Sequence, residues 1–87
     1  MHKYFGELLI EEKKLSRKQV KEGLKLQKDN PERKLGEILV TLNYIRYEDI
    51  IGTLKKQFQM NGVPPVGVEK WLSQEEIDSI IKSIKKE

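Results

Sequence analysis

Few residues of this chain are of a type that could carry out catalysis. Its 87 residues include no cysteine and one histidine, His2, which excludes thiolate–metal sites and clusters of histidine ligands. The acid pairs Glu11-Glu12 and Glu75-Glu76 are expected at a helix end and in a first helical turn, where carboxylates are common for local reasons. The sequence holds no G-x-x-x-x-G-K-[ST] phosphate loop. No nucleophile–base pair, metal cluster or acid dyad can be assembled, so the sequence predicts a non-catalytic protein.

The most informative pattern is an internal repeat. Residues 4–27 align without a gap on residues 34–57, at an offset of 30 residues. Identical pairs are Gly6/Gly36, Glu7/Glu37, Leu9/Leu39, Leu24/Leu54, Lys25/Lys55 and Gln27/Gln57. A match at fixed offset is typical of a duplicated supersecondary unit. We therefore expect residues 1–60 to form one duplicated helical domain, with two helix-turn-helix repeats packed antiparallel about a pseudo-two-fold axis.

The first repeat is predicted to contain a short helix and a longer one. Apolar residues 4, 5, 8 and 9 give the first helix one buried face, and the pattern ends near Glu12. The second helix runs from about Arg17 to Lys28. Ser16 and Gln19 have the spacing of a capping box at its start.

The second repeat is predicted to follow the same plan. Asn30 is expected to cap the third helix, with Pro31 at its first position and Asn43 in the left-handed conformation at its end. The fourth helix is expected to fade near Met60. The apolar stripes of the two helices are Leu35, Ile38, Leu39, Leu42 and Ile50, Ile51, Leu54, Phe58.

Beyond the repeats, residues 61–72 are expected to form an extended connector, because they contain two glycines and a Pro-Pro pair. Residues 73–87 are predicted to form a C-terminal amphipathic helix, with a capping box of Ser73 and Glu76. Its apolar stripe is Ile77, Ile80, Ile81 and Ile84. Trp71 either pins this helix to the domain, which we favour, or forms an exposed anchor for a partner. The predicted fold is therefore all-α.

The motif of a basic residue, Leu-Gly, an inner Leu, a longer helix and a closing Gln resembles the N-terminal domain of type II secretion and type IV pilus assembly ATPases. In that family two motifs of this length lie in tandem, and residues 4–60 carry the resemblance. The resemblance implies a regulatory and docking domain whose partners are a membrane-platform protein or ATPase subunits. It also implies a cytoplasmic location, peripheral to the inner membrane through that partner. No apolar run approaches the roughly 18 residues of a membrane span, so no membrane insertion is expected.

Many members of that family bind cyclic di-GMP, and the resemblance makes this dinucleotide the candidate ligand here; no other cofactor is expected. Carried over by position, the candidate binding residues are Gly6, Leu9, Gln27, Lys34, Leu35, Gly36, Leu39 and Gln57. The leading arginine of each family motif is replaced, by Tyr4 in the first repeat and Lys34 in the second. A lysine is a point charge where arginine offers a planar fork. The glycine that usually follows the first helix is replaced by Lys13 and Asn43.

The alternative function is a small helix-turn-helix DNA-binding protein, which the order of short helix, turn and long helix permits. Against it, 36% of the residues are charged but the net charge is only +3, with acids and bases interleaved. The sequence indicates no helix with a concentrated basic face and reading residues at its N-terminus, so nucleic acid is not expected as a partner.

Overall fold

The computed structural model describes residues 3–86; Met1, His2 and Glu87 lie outside the described residues. Within that range the chain forms five α-helices and one 3-10 turn, and the predicted all-α class is confirmed. The helices are α1 (Phe5–Glu11), α2 (Arg17–Asp29), α3 (Leu35–Thr41), α4 (Tyr47–Asn61) and α5 (Gln74–Lys85), and the 3-10 turn is Val68–Lys70. In the described part of the chain, no helix combines the length and the apolar character that crossing a bilayer requires.

The same local geometry recurs 30 residues apart. Helices α1 and α3 have seven residues each, and each is followed by a residue with φ of 61°. These residues are Lys13 and Asn43, whose amides donate to the carbonyls of Ile10 (3.0 Å) and Val40 (2.9 Å). The left-handed conformation predicted for Asn43 is confirmed. At Lys13 it costs about 1–2 kcal/mol, because the side chain crowds the following carbonyl.

Two of the predicted helix starts are confirmed in atomic detail. Ser16 and Ser73 each accept a hydrogen bond from the third amide of their helix, and the side-chain oxygens of Gln19 and Glu76 accept from the amides of Ser16 and Ser73. Each box satisfies two amides that would otherwise have no partner.

The predicted role of Asn30 is wrong. Asn30 ends α2 instead of starting α3, and its Nδ2 donates to the Leu26 carbonyl at 2.9 Å. Its own carbonyl accepts from the Arg33 amide at 3.0 Å, so residues 31–33 form a turn. Helix α3 then starts at Leu35 with Lys34 as its N-cap residue. The side chain of Asn30 is bonded to a carbonyl in the last turn of α2, and it is therefore not available to cap α3.

The four helices of the repeats interlock across the two halves. Helix α2 packs against α3, and α4 packs against α1, α3 and α5. Gly23 permits the first of these contacts, because a Cβ there would lie 2.8 Å from Cδ2 of Leu39. At the equivalent position of α4, Thr53 is buried and donates to Oε1 of Glu12 at 2.7 Å. The fully buried side chains at the centre are Phe5, Leu9, Leu39, Ile50, Leu54 and Leu72.

The segment between α4 and α5 returns to the first repeat. Gly62 ends α4 in the left-handed conformation, and the Phe5 amide then donates to the Val66 carbonyl at 2.7 Å. Residues 68–70 form the 3-10 turn, whereas the sequence indicated an extended conformation throughout residues 61–72. Gly67, with φ of 83°, permits this turn, which buries Val68.

Trp71 is the residue through which this segment joins both halves. It is 4% exposed, and its ring meets the Phe5 ring edge-on at 5.6 Å. Its carbonyl accepts from the Gly36 amide at 3.1 Å. Helix α5 then folds back against α4 and buries Ile77. The burial of Trp71 is as expected for a residue that pins α5, and not for an exposed anchor.

Replacing Gly36 by alanine should destabilise the domain. The new Cβ would lie 2.5 Å from the Trp71 carbonyl oxygen, a backbone atom that cannot rotate away. We expect Gly36→Ala to lower the free energy of unfolding by about 1–3 kcal/mol, measured by urea denaturation followed by circular dichroism.

The matched control is Gly52→Ala in α4, where no atom lies within 4 Å of the added Cβ. This change should stabilise the domain by up to about 1 kcal/mol through helix propensity. Equal stabilisation by the two substitutions would show that the Gly36–Trp71 contact relaxes without cost.

Candidate functional site

The eight candidate ligand residues of the repeats do not line one common cavity. Three of them, Leu9, Leu35 and Leu39, are buried in the hydrophobic core. Leu35 and Gly6 also line a groove on the first repeat. Lys34 lines a different groove, on the second repeat. Gln57 lines a third cavity, of about 300 Å³, between α1 and the Pro-Pro pair.

Both repeat glycines make their close approach to the same residue. A Cβ on Gly6 would lie 3.1 Å from Cζ2 of Trp71, and a Cβ on Gly36 would lie 2.5 Å from its carbonyl oxygen. The sequence left open whether these glycines meet a ligand or a packing neighbour. In this structure the neighbour is Trp71, and the assignment of the glycines to a ligand stays a prediction.

The polar candidates are engaged within the chain. Lys34 Nζ donates to the Glu69 carbonyl at 2.9 Å. Gln27 Nε2 donates to the Arg33 carbonyl at 3.1 Å, which ties the end of α2 to the turn before α3. Gln57 Oε1 accepts from Asn61 Nδ2 at 3.4 Å in the last turns of α4. A ligand that used these groups would have to replace those hydrogen bonds.

Two grooves lie on either side of Trp71 and use equivalent positions of the two repeats. The α2 groove, of about 260 Å³, is lined by Tyr4, Phe5, Gly6, Glu7, Ile10, Arg17, Val20, Leu24, Leu35, Gly67, Lys70 and Trp71. The α5 groove, of about 300 Å³, is lined by Lys34, Glu37, Val40, Thr41, Tyr47, Trp71, Leu72 and Glu76. Four lining positions correspond at the offset of 30: Tyr4/Lys34, Glu7/Glu37, Ile10/Val40 and Arg17/Tyr47.

The α5 groove is bordered by the first turn of α5. The Tyr47 hydroxyl donates to the Glu76 carboxylate, which also serves the cap at Ser73. The pKa of Glu76 is lowered mainly by the hydrogen bond from Tyr47 and secondly by the bond from the Ser73 amide. Burial at this contact and the bond to Glu76 raise the pKa of Tyr47 to about 12.

The equivalent face of the first repeat is open. Leu54 of α4 is fully buried, whereas Leu24, its identical counterpart in α2, is 43% exposed. Ile50 is likewise fully buried, and its counterpart Val20 is only partly buried. The chain covers on α4 the apolar side chains that it leaves accessible on α2.

Helix α2 also carries a basic stripe that the sequence analysis missed. The α2 stripe consists of five exposed cations, Arg17, Lys18, Lys21, Lys25 and Lys28. At 100° per residue they fall within an arc of about 100° on one side of the helix. Within residues 3–86 none of them forms an ion pair within 4 Å. The expectation that no helix has a concentrated basic face is wrong; the recurrence of cations at positions 17, 21, 25 and 28 was the available signal.

Among residues 3–86 no group of three or more His, Asp or Glu side chains is placed to hold a metal ion. The Tyr44 hydroxyl donates to Glu22, and this hydrogen bond raises the pKa of Tyr44. The described part of the chain therefore offers surfaces for binding: an apolar groove, and a row of cations beside it.

The contact between Tyr47 and Glu76 predicts a dependence of stability on pH. The pKa of Glu76 lies below its ordinary value of 4.5, so its contribution is present above that pH and is lost as the pH falls through the lowered pKa. The pKa of Tyr47 is raised from 10.0 to about 12, so its contribution is present below pH 10 and is lost as the pH rises towards 12.

We therefore expect Tyr47→Phe to lower the free energy of unfolding near neutral pH, and the difference from wild type to shrink in acid and above pH 10. Denaturant unfolding over a pH series measures this. Glu75→Gln, which removes a neighbouring exposed carboxylate outside the capping box, is the control. A difference that stays constant across the whole pH range would contradict the assignment.

Comparison with protein-family models, with curated proteins and with solved structures gives no match to this chain. The resemblance to the ATPase N-terminal domains therefore rests on the tandem motif alone, and what it implies about function is a proposal.

Proposed function

We propose that this chain is a non-catalytic docking and regulatory domain of the kind that type II secretion and type IV pilus assembly ATPases carry at their N-terminus. It acts by protein–protein contact through its helical surface. Its partners are the membrane-platform protein of such a system or the subunits of its ATPase. It works in the cytoplasm and reaches the inner membrane through that partner.

The observation that carries the proposal is the recurrence of one helix pair at an offset of 30 residues. The two halves share helix starts at Phe5 and Leu35 and left-handed turns at Lys13 and Asn43. Both motif glycines are also sites of close approach. A side chain at Gly36 would collide with the Trp71 carbonyl, and one at Gly6 would crowd the Trp71 ring, which gives the motif a physical role besides ancestry.

Cyclic di-GMP enters the proposal as the ligand that the resemblance implies. The groups that would receive it are engaged elsewhere: Trp71 lies against both glycines, and Lys34 is bonded to the Glu69 carbonyl. The arginine forks that could bind guanine in two places at once are absent from positions 4 and 34, and such a contact is worth about 1–3 kcal/mol. The geometry therefore favours docking over dinucleotide sensing.

Isothermal titration calorimetry with cyclic di-GMP, with GTP and ATP as controls, tests the regulatory half. We expect no saturable heat, because binding would require Trp71 to leave a site where it is 4% exposed. Saturable binding to the wild type that is lost in Lys34→Ala and in Gln57→Ala would reverse this expectation. The chain would then be a dinucleotide sensor.

Direct binding tests the docking half. We expect the immobilised chain to retain the purified cytoplasmic part of a platform protein, or the assembly ATPase, from a secretion or pilus system of its own source. Gly36→Ala, which crowds the Trp71 carbonyl, should weaken retention together with stability, and Gly52→Ala should leave retention intact. Failure to retain any of these components would remove the proposed function.

One observation favours a second function, binding to duplex DNA. The α2 stripe lies on the longer helix of a helix-turn-helix pair, with Arg17, Lys18 and Gln19 in its first turn. Retention on duplex DNA that falls steeply with salt and is lost in the double variant Lys21→Glu/Lys25→Glu would support this function. Elution at the same low salt from DNA and from an uncharged matrix would exclude it.

A further inference from the structure

The α2 groove has an apolar floor and a cationic rim. The partly buried side chains Ile10 and Val20 form the floor together with buried Trp71 and the exposed side of Leu24. Arg17 and Lys70 are the cations of the rim, and Glu7 is its one acid. Lys21, Lys25 and Lys28 continue the positive charge along α2. A nucleic-acid backbone would use the cations but would leave this apolar floor in water, so the groove fits a ligand with both an apolar and an acidic side.

The second repeat indicates what such a ligand looks like. On α4 the equivalent apolar side chains are buried, and the amphipathic helix α5 packs against α4. A carboxylate in the first turn of α5, Glu76, accepts a hydrogen bond from Tyr47. Arg17 occupies the position of Tyr47 on α2, where it would meet a first-turn carboxylate with a full positive charge.

The differences between the two helices specify the charge of the partner. Lys21 and Lys28 stand on α2 where Ile51 and Phe58 stand on α4, whereas Leu24 and Leu54 are identical. A helix seated on α2 therefore needs apolar residues towards Leu24 and acidic residues along the edge that faces the α2 stripe. A second copy is a poorer fit, because most of the isoleucine stripe of α5 packs within its own chain: Ile77 is 3% exposed, and Ile80 and Ile81 pack against the core.

We propose that the α2 groove and the α2 stripe together bind an acidic amphipathic helix of a partner protein. The proposal rests on the docking function and names the chemistry of its partner. The apolar stripe of the helix covers Leu24 and Val20, and the carboxylates along one edge of that stripe pair with Arg17, Lys21 and Lys28. The charge complementarity also accelerates encounter, so association is faster at low ionic strength.

A designed peptide tests the proposal without knowledge of the natural partner. The probe is a helical peptide of about 15 residues, long enough for marginal helicity in water, with leucines at positions 0, 3, 4 and 7 of a stripe and glutamates beside them. It contains no aromatic residue. The emission of Trp71 then reports occupancy, because Trp71 lines the groove and is the one tryptophan of the chain.

We expect a saturable change in Trp71 emission, with an affinity that falls as salt is added. A second peptide with the same leucines but with lysines beside them should give no change. Leu24→Ser and the double variant Lys21→Glu/Lys25→Glu should each weaken binding by about tenfold or more. The double variant Lys82→Glu/Lys85→Glu, with the same change in net charge on exposed positions of α5, should bind as the wild type does. Circular dichroism of each variant establishes that it is folded.

Three results would overturn the proposal. The first is equal binding of both peptides, or unchanged binding to Leu24→Ser. The second is no response to either peptide together with saturation by duplex DNA, which would assign the stripe to nucleic acid. The third is a concentration-dependent dimer in sedimentation that Leu24→Ser abolishes, which would assign the groove to a second copy.

The two proposals fail separately. If the chain binds the peptide but retains no secretion or pilus component, the groove proposal stands and the proposed host system is wrong. If the chain retains such a component equally well with Leu24→Ser, the proposed docking function stands and the groove proposal is wrong.

Discussion

The arrangement of this small domain depends on how Trp71 is held. Its carbonyl accepts the Gly36 amide of the second repeat, and its ring lies on Gly6 and against Phe5 of the first. A buried tryptophan removes about 150–250 Å² from water, or roughly 4–6 kcal/mol as an upper bound at about 25 cal/mol per Å². That is comparable with the whole net stability of a domain of this size, typically about 5–15 kcal/mol. The same contact sets where α5 begins, two residues before its cap at Ser73.

The single segment that contains Trp71 cannot make the same contacts with both repeats. The ring of Trp71 contacts the first repeat and its carbonyl accepts a hydrogen bond from the second. The chain that follows Trp71 can continue over only one of the two repeats. Helix α5 packs on α4, which also packs against α1 and α3, and the identical residues Leu54 and Leu24 have opposite environments, one buried and one 43% exposed. The sequences of the two helices agree with this choice, because α4 has Ile51 and Phe58 where α2 has Lys21 and Lys28.

Much of the fold could be predicted from local signals. The boxes at Ser16 and Ser73 and the left-handed Asn43 follow from short-range chemistry, and the structure contains them. Asn30 was placed wrongly because one side chain can cap either of two helix ends, and only the path of residues 31–33 decides between them. The candidate site was less predictable, because the neighbour of Gly6 and Gly36 lies 35 or more residues away in the sequence. A glycine indicates that something comes close, but it does not indicate what does.

The charge of α2 calls for an explanation beyond solvation. An uncovered helix face must be polar, and either lysine or arginine would keep the face around Leu24 in contact with water. Solvation alone, however, is served by mixed charges, which also pair along a helix, whereas the five cations of the α2 stripe have no such partner within residues 3–86. Their mutual repulsion opposes folding. Of the two acids of α2, Glu22 is engaged by Tyr44, and Asp29 at the end of the helix forms no ion pair with the stripe within 4 Å. A row of cations beside an exposed leucine is therefore better explained by an acidic partner than by solvation alone.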